Sequence, residues 1–457
     1  MTLEQYLESL RGQQVTVIGI GVSNRPLLKL LIGAGAQVTA RDKKTAEQLG
    51  DIAAQLQAWG VRLVLGEDYM ESIEGDVVFR TPGLRPDHPG LLAAAEKGAV
   101  ITSEMEVFFD VCPCPVIAVT GSDGKTTTTS VIAEMLRAAG KTVWLGGNIG
   151  TPLLDKAGKM QPEDAVVLEL SSFQLMTLKK SPKVAVITNL SPNHLDWHRD
   201  FEEYVEAKCN LFRHQSENDV LVLNYDNEVS RPLAENAPGT VRFFSKNSLP
   251  QVGGVWLKNG EMLDNGEKIM DIAQIRIPGM HNVENYMAAC AALKGIVDHS
   301  IMVKVAKEFA GVEHRLELVR ERNGVKWYND SIASSPSRTL AGLKCFPADK
   351  IILIAGGYDK HIPFDELGCT LPTAVKTVLL CGATADKIEA AVKAAPDYAE
   401  GKPALVRFDK LDDVIAWAAE KAVAGDIVLF SPACASFDQF PNFAARGRYF
   451  KEKVNQL

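Results

Sequence analysis

The stretch PVIAVTGSDGKTTTTSVIAEMLRAAG, residues 115–140, decides the fold of the chain around it. Its first part, residues 116–119, is a short apolar run rich in β-branched side chains, which predicts a buried strand. A loop containing two glycines follows, and the apolar stripe beyond it predicts a helix that ends near Gly140. Glycines let backbone N–H groups approach an anion, and a helix N-terminus adds partial positive charge. The stretch therefore predicts a phosphate-binding loop, with Lys125 reaching the terminal phosphates and the Thr126 hydroxyl offered to Mg²⁺.

The spacing of this loop departs from the usual P-loop pattern. Val119 stands five residues before Gly124, where the first glycine of the pattern is expected. We interpret the loop as a shortened variant, because the strand and helix patterns on either side are those of a phosphate site. The alternative is a tight turn between a strand and a helix that contains Gly-Lys-Thr by coincidence.

Length and composition restrict the class of protein. The chain has 457 residues, which corresponds to roughly three domains of ~150 residues each. Its formal net charge of −8 argues against nucleic acid or an anionic membrane as a partner. A polar N-terminus and no long apolar run lead us to expect a cytoplasmic protein without a signal peptide or membrane span. Only Cys112 and Cys114 of the eight cysteines are close in sequence, so we expect reduced thiols and no structural zinc site.

The first segment, residues 1–103, begins with the pattern of a nucleotide-binding βαβ unit. A strand pattern leads into a turn containing Gly19 and Gly21, a helix follows, and Asp42 ends the second predicted strand. Asn24 occupies the position of the third glycine in the dinucleotide fingerprint. Three interpretations therefore stay open: a dinucleotide site, a site for another nucleotide, and a βαβ unit that serves only packing.

Polar residues follow predicted elements of the middle segment, residues 104–311. Glu169 lies near the end of a buried strand, where a carboxylate needs either a salt bridge or a metal ion. His194 follows the next strand and has either a role in a site or a purely structural one. Lys208 belongs to an amphipathic helix pattern and, judged by itself, is interpreted as a surface lysine.

Two further pairs of residues leave a functional and a structural interpretation open. Asn282 and Asn285 share one face of a predicted helix, where they either contact an adenine edge or cap the helix. The last segment, residues 312–457, alternates strands and helices, and its strands end in small or polar loops. Lys360 and Ser436 lie in these loops and are either ligands of a carboxylate or a solvent lysine and a helix cap.

Motifs spread over the whole chain, in order, resemble those of the Mur ligases, a family of ATP-dependent amide-forming ligases. The most specific of them are ELSSFQL (169–175) and SPACASFDQFPNFAARG (431–447). The others are TGSDGKTTT (120–128), GGNIG (146–150), TNLSPNHLD (188–196), GMHN (279–282), EHRLE (313–317), YNDS (328–331) and AGGYDK (355–360).

The resemblance implies an α/β protein of three domains. These are a Rossmann-like UDP-binding domain at residues 1–103, a P-loop-type ATPase domain with a mostly parallel sheet at 104–311, and a Rossmann-like amino-acid-binding domain at 312–457. It thus favours a uridine nucleotide over NAD in the first segment. It also implies a monomer.

The resemblance implies roles for individual residues, each read from the matching position of a motif. Catalytic roles fall to Lys125, His194 and Lys208, and Lys208 matches a lysine that is carbamylated in the family. The ATP site is implied at Gly121, Ser122, Asp123, Gly124, Lys125, Thr126, Thr127, Asn282, Asn285, Arg315 and Asp330. The metal ligands, for two Mg²⁺ ions, match Thr126, Glu169, His194 and Lys208. Contacts with the UDP-sugar match Val22, Ser23, Asp42, Lys43, Lys44, Gly83, Asn148 and Ser171. The D-glutamate site matches Lys360, Ser436 and Phe443.

The reaction implied by the resemblance is the ATP-dependent addition of D-glutamate to UDP-N-acetylmuramoyl-L-alanine through an acyl phosphate, in the synthesis of peptidoglycan precursors. Two positions depart from the family pattern: Ile332 replaces a lysine that is common after the NDS motif, and Asp123 replaces an asparagine. Other Mur-type or folylpolyglutamate-type amide ligases are the alternative within the class. An NAD-dependent oxidoreductase and a non-catalytic nucleotide-binding regulator are the alternatives outside it.

Overall fold

A computed structural model describes residues 1–247 and 253–457 of the chain. Within these residues the strands form three sheets, each dominated by parallel pairs. The chain divides into two compact units, the first formed by Met1–Ile272 with Glu284–Val305 and the second by Ala273–Val283 with Ala306–Leu457. The first unit holds the first two sheets and the second unit holds the third. The prediction of an α/β protein with mostly parallel sheets is confirmed.

The first sheet has five parallel strands in the order β3-β2-β1-β4-β5. Its strands are β1 Gln14–Ile18, β2 Gln37–Asp42, β3 Arg62–Leu65, β4 Val77–Phe79 and β5 Val100–Thr102. The helices along this part of the chain are α1 Leu3–Ser9, α2 Asn24–Gly33, α3 Ala46–Leu49, α4 Asp51–Ala58, α5 Pro89–Glu96 and α6 Glu104–Val111. The order reverses at β1, and in open α/β sheets ligands bind beyond the strand ends at such a point.

The second sheet has nine strands in the order β14-β13-β12-β11-β10-β9-β6-β8-β7. They are β6 Val116–Thr120, β7 Val143–Gly147, β8 Ala165–Glu169, β9 Val184–Ile187, β10 Val220–Asn224, β11 Thr240–Ser245, β12 Gly254–Lys258, β13 Glu261–Asp264 and β14 Glu267–Asp271. The helices that follow β6 are α7 Lys125–Ala138, α8 Ser172–Leu175, α9 Phe201–Cys209, α10 Met280–Leu293 and α11 His299–Glu308. The sheet is parallel from β7 to β12, whereas β12, β13 and β14 pair antiparallel.

Strand β6, in the interior of this sheet, is the one that the opening stretch predicts. All five residues of β6 are buried, and β6 pairs in parallel with β8 on one side and β9 on the other. The carboxyl ends of these three strands therefore meet at one edge of the sheet. The loops that carry the predicted phosphate, metal and histidine residues all leave from this edge.

The third sheet has six strands in the order β15-β16-β20-β17-β18-β19. They are β15 Glu317–Arg322, β16 Val325–Asn329, β17 Ile351–Ala355, β18 Thr377–Cys381, β19 Ala404–Phe408 and β20 Ile427–Phe430. Its helices are α12 Pro336–Leu343, α13 Asp365–Ala374, α14 Ala385–Lys393, α15 Leu411–Lys421 and α16 Phe443–Gln456. Only β15 runs antiparallel to its neighbour, and separate apolar clusters cover the two faces.

No helix in the described part of the chain is both long and apolar enough to cross a membrane.

Candidate functional site

The loop between β6 and α7 has the backbone of an anion cradle. Gly121 and Gly124 have φ of +148° and +78°, conformations that other residues adopt only with strain. A Cβ atom at Gly124 would clash with Oδ1 of Asn285, and one at Gly121 would clash with Oγ1 of Thr188. Glycine is therefore required at both positions by backbone conformation and by space.

The loop is fastened to the segment that follows β9. Ser122 N and Asp123 N donate to the backbone and side-chain oxygens of Asn189, at 2.9 and 3.0 Å. Lys125 Nζ folds back over the loop and donates to the carbonyls of Gly121 and Ser122, at 3.0 and 2.9 Å. The predicted phosphate lysine thus lies on the loop itself, while Thr127 is buried in the first turn of α7.

Glu169, at the end of β8, is a buried carboxylate directly beside this helix start. It is 1% exposed, and its two oxygens accept from Thr126 Oγ1 and Asn148 Nδ2, both at 2.7 Å. Two neutral donors stabilise a buried carboxylate less than a cation does. A hydroxyl and a carboxylate side by side are oxygen ligands of the kind that Mg²⁺ prefers, so Thr126 and Glu169 fit the ion. The resemblance assigns Asn148 to the UDP-sugar site. In the structure its side-chain amide donates to the Glu169 carboxylate.

Lys208 is buried, and its interpretation as a surface lysine is wrong. Its side chain is 1% exposed, and Nζ donates to Thr120 Oγ1 and to the Gly121 carbonyl, both at 3.0 Å. Burial lowers the pKa of Lys208 well below its usual value; the Lys125 charge lowers it further and Glu169 opposes the shift. The sequence pattern did not predict the burial of Lys208, because that burial comes from the packing of this face of α9 against β6 in the tertiary fold.

His194 follows β9 in a left-handed backbone conformation, with φ of +54°. Burial lowers the pKa of its imidazole; Asp196 opposes that shift, and the charges of Lys125 and Lys208 add to it. Its ring packs against Phe173 with centroids 5.0 Å apart. The lowered pKa keeps the ring neutral near pH 7, the form that binds a metal or accepts a proton.

The four predicted metal ligands are only partly assembled. Thr126 is hydrogen-bonded to Glu169, and electrostatic effects link Lys208 to Glu169 and His194 to Lys208. Among residues 1–247 and 253–457, no group of three or more His, Cys, Asp and Glu side chains is arranged to hold a metal ion.

The first glycine turn, after β1, explains the missing third glycine. The Asn24 amide donates to the carbonyls of Ile18 and Gly19, at 3.2 and 2.9 Å, and so closes the turn itself. Asp42 Oδ2 accepts from Ile20 N at 2.6 Å, and its Oδ1 accepts from Lys44 N at 2.9 Å. Hydrogen bonds from the Asn24 side chain therefore take the place of the third glycine of the dinucleotide fingerprint. Other predicted UDP-sugar residues of this sheet edge, Val22, Ser23 and Lys43, are exposed.

A cluster that the motifs did not indicate joins the loop after β4 to the chain around His194. Trp197 Nε1 donates to the Gly83 carbonyl at 3.0 Å, which places Gly83 beside the second sheet's loops. Arg85 binds both oxygens of Glu203 on α9, each at 3.0 Å, and lies 5.1 Å from the Trp197 ring centroid. Ser171, also predicted for the UDP-sugar, caps α8 by accepting from Gln174 N.

On α10, both predicted adenine residues are buried and hydrogen-bonded. Asn282 Nδ2 donates to the Pro278 carbonyl at 2.6 Å. Asn285 Oδ1 accepts from Thr128 Oγ1 on α7 at 3.2 Å. Asn285 is thus fixed against the phosphate loop by Thr128, beside Gly124.

The second unit holds the predicted residues of the last segment. Asp330 Oδ2 accepts from Ser431 Oγ at 2.7 Å, and burial raises the pKa of Asp330 to about 7 while the Arg315 charge opposes the shift. Ser436 is buried, whereas Phe443 at the start of α16 and Lys360 in the loop after β17 are exposed.

Arg446, which lies in the motif at 431–447 but was given no role there, holds these loops together. Its guanidinium donates to Ser331 Oγ, Ser331 O, Cys434 O and Ala435 O, at 2.9 to 3.0 Å. It is 4% exposed, and burial lowers its pKa to about 10. A periodic apolar pattern cannot indicate a buried arginine, because its partners are backbone carbonyls from distant segments.

Comparison with known proteins identifies the relatives of the chain. Residues 119–293 match a model of the Mur ligase middle domain, and residues 314–434 match a model of the Mur ligase glutamate ligase domain. The UDP-N-acetylmuramoylalanine–D-glutamate ligases of Acetivibrio thermocellus and Ruminiclostridium cellulolyticum are each 50% identical to the chain, covering 100% of it and 99% of the relative.

Solved structures share the fold at lower identity. UDP-N-acetylmuramate-alanine ligase of Thermotoga maritima is 19% identical with a TM-score of 0.58, covering 97% of this chain and 99% of that one. The MurF ligase of Thermotoga maritima, solved in complex with ADP, is 19% identical with a TM-score of 0.54, covering 98% and 97%.

Proposed function

The chain belongs to the Mur ligase family, and we propose that it joins D-glutamate to UDP-N-acetylmuramoyl-L-alanine at the expense of ATP. Its relatives with this name are 50% identical over the whole chain. The single observation that carries the chemistry is the cradle formed by the phosphate loop, the Thr126–Glu169 pair and buried Lys208. The product is a peptidoglycan precursor.

In the first step, an oxygen of the substrate carboxylate attacks the γ-phosphorus of ATP. The bond to the β,γ-bridging oxygen breaks, which leaves an acyl phosphate and ADP. Two anions must approach one another, so Lys125 and the backbone N–H groups of the loop lower the barrier by neutralising charge. Gly121 and Gly124, both with positive φ, give the loop the turn that lets its backbone approach an anion closely.

Magnesium would be held by Thr126, Glu169, His194 and a carbamylated Lys208, and it supplies neutralisation of the phosphate charge. In forming the carbamate, the lone pair of Lys208 Nζ attacks the carbon of CO₂ and a proton is released. The amine must be unprotonated for this, and the burial that lowers the pKa of Lys208 favours that form. The modification converts a buried cation into an anion beside the phosphate loop.

In the second step, the amine of D-glutamate attacks the acyl carbon, and inorganic phosphate leaves. The amine must be neutral, and a base removes its proton as the amide forms. Lys360, Ser436 and Phe443 bind D-glutamate in this proposal, and Arg446 fixes the backbone next to Ser436 through the Ala435 carbonyl. Asn282, Asn285, Arg315 and Asp330 complete the ATP site.

The UDP-sugar binds at the edge of the first sheet through Val22, Ser23, Asp42, Lys43, Lys44 and Gly83. Asn148 and Ser171, beside the second sheet, complete its site. Support comes from the switch in strand order at β1 and from the Asp42 bond that shapes the turn. We place the domain boundaries at 103/104 and 311/312. Because one chain carries predicted sites for all three substrates, we propose that it acts as a monomer.

The proposal is tested by phosphate release from ATP with each substrate omitted in turn. We expect release to require UDP-N-acetylmuramoyl-L-alanine and D-glutamate together, and a panel of amino acids to show D-glutamate as the preferred acceptor. Release that continues unchanged without an amino acid would contradict the ligase. Preference for another amino acid would support a different Mur-type ligase.

A further inference from the structure

Two cysteines face each other in the connection between α6 and β6. The segment reads Cys112-Pro113-Cys114, and Cys112 is the residue that caps the C-terminus of α6. The two Sγ atoms are 3.8 Å apart, and Cys112 Sγ lies 3.5 Å from the Cys114 carbonyl oxygen. Neither residue has a part in the proposed ligase chemistry.

The two thiols differ in access. Cys112 is half-buried and the proline between them is exposed, whereas Cys114 is 7% exposed and belongs to the apolar core of the first unit. A small reagent can therefore reach Cys112 first, while Cys114 is shielded from reagents but adjacent to Cys112. Such a pair suits an attacking and a resolving cysteine.

The spacing allows the two sulfurs to be joined. A disulfide needs Cα atoms about 4.4–6.8 Å apart and an S–S bond of about 2.05 Å. Residues two apart in sequence are separated by at most about 7 Å, so no large backbone movement is required. The sulfurs, already 3.8 Å apart, close the remaining distance by side-chain rotation and small local shifts.

We propose that Cys112 and Cys114 form a reversible dithiol modification site, which disulfides of the glutathione type oxidise to an intramolecular disulfide. The Cys112 thiolate attacks one sulfur of the external disulfide, forms a mixed disulfide and releases one thiolate. The Cys114 thiolate then attacks Cys112 Sγ, closes the ring and releases the second thiolate. One external disulfide is reduced to two thiols while the two cysteines lose two protons and two electrons.

The titration of the pair agrees with this order of attack. Hydrogen bonding from Cys114 lowers the pKa of Cys112, and the same contact is the largest cause that raises the pKa of Cys114. That cause ends once Cys112 is capped, and burial and the Asp164 charge remain as the causes that raise the pKa of Cys114. The ring closes before β6 begins, and β6 is paired on both sides, so its effect is confined to the connection after α6.

The test incubates the folded full-length protein with oxidised glutathione and maps its peptides by mass spectrometry. Cleavage after Lys97 and Lys125 places both cysteines in one peptide, residues 98–125, that contains no other cysteine. We expect this peptide to lose two hydrogens and to regain them with a reductant. Cys369 is exposed and has no cysteine nearby in sequence, so it serves as the internal control that reports glutathione addition.

Two serine variants separate the steps. Cys114→Ser should accumulate glutathione on Cys112, and Cys112→Ser should leave Cys114 unmodified in the folded protein. The proposal fails if peptide 98–125 stays reduced, or stops at a glutathione adduct, under conditions that modify Cys369. It also fails if Cys114 in the Cys112→Ser variant reacts with oxidised glutathione as fast as Cys112 does in the protein without the substitution.

Discussion

Each unit of the molecule contains a buried cation that is hydrogen-bonded to backbone carbonyls. In the first unit Lys208 donates to Thr120 Oγ1 and the Gly121 carbonyl; in the second Arg446 donates to three carbonyls and one hydroxyl. Both are nearly inaccessible, at 1% and 4%. Carbonyl dipoles compensate a buried charge less than a carboxylate does, so both positions are costly.

The two side chains differ in how far burial changes their pKa values and in their hydrogen-bonding geometry. Burial lowers the pKa of Lys208 well below its usual value, which favours the unprotonated, nucleophilic amine, while Arg446 keeps a pKa of about 10 and remains charged. Lysine readily shifts its pKa on burial, whereas the planar guanidinium offers five fixed donors. Burial among carbonyl oxygens thus favours a reactive amine at Lys208, whereas at Arg446 it leaves a charged group that holds loops in place.

The largest effect is expected from replacing Lys208. Lys208→Ala should lower kcat by at least about a hundredfold, because it removes a proposed metal ligand beside the phosphate loop. Short carboxylates such as acetate should restore part of the rate by occupying the space of the carbamate. Lys183→Ala, at an exposed lysine paired with Asp219, is the control and should change little.

Lys208→Arg sharpens the same comparison. Arginine keeps a positive charge but forms no carbamate, so this variant should be as inactive as Lys208→Ala. An active Lys208→Arg enzyme would mean that position 208 needs no carbamate, and the proposed difference between positions 208 and 446 would be wrong.

The second effect tests the cradle that Lys208 supports. Gly124→Ala should abolish measurable ATP binding, because its Cβ would clash with Asn285 Oδ1 in a backbone with φ of +78°. Gly140→Ala is a matched control: its φ is +83°, but a Cβ there has no atom within 4 Å. It should lower the free energy of unfolding by about 1 kcal/mol and leave ATP binding intact. ATP titration by calorimetry measures both; equal loss of affinity in the two would contradict the steric explanation.

A smaller effect is expected at the architectural cation. Arg446→Lys keeps the charge but loses the fork of donors, so the loops with Ser331 and Ala435 should loosen. We expect the KM for D-glutamate to rise about tenfold, or about 1.4 kcal/mol, with the KM for ATP nearly unchanged. Arg448→Lys, exposed on the same helix, is the control. Equal loss for all substrates would indicate general destabilisation and contradict a positioning role.

The smallest effect on activity is expected at Glu104, a buried acid that has no part in the proposed chemistry. Burial raises the pKa of Glu104 from 4.5 to about 7, although Leu154 N donates to its Oε1. The folded state therefore binds more protons than the unfolded state between these values, so stability falls as pH rises from about 4.5 to 7. The loss should reach at most about 3 kcal/mol.

Glu104→Gln should flatten that slope in urea unfolding experiments at several pH values, without changing activity at pH 7. Glu96→Gln, at an exposed position of α5, should keep it. An unchanged slope in Glu104→Gln would show that other groups control the pH dependence.

The sequence predicted the fold wherever the pattern was local. The apolar run at residues 116–119 predicted β6, which the structure extends by one residue, and Gly140 marked the end of α7. The antiparallel strands β12 to β14 carried no motif and were not predicted. Resemblance supplied the three-domain organisation, which periodicity alone cannot give.

The site was predictable only in part, for a physical reason. The Thr126–Glu169 pair follows from two strand ends that meet at one edge. The burial of Lys208 and the role of Arg446 depend on contacts with segments far away in sequence, such as β6 and the loop after β20. A charged residue within a polar sequence pattern is predicted to be exposed, and only the tertiary fold shows that it is buried.

The central claim is that the phosphate loop transfers a phosphoryl group to a substrate carboxylate, and oxygen isotope transfer tests it most directly. UDP-N-acetylmuramoyl-L-alanine labelled with ¹⁸O in its alanine carboxylate should yield inorganic phosphate that carries one ¹⁸O atom per turnover, because the acyl phosphate breaks at the acyl carbon. Turnover that releases phosphate without the label would contradict the acyl phosphate and with it the proposed role of the cradle.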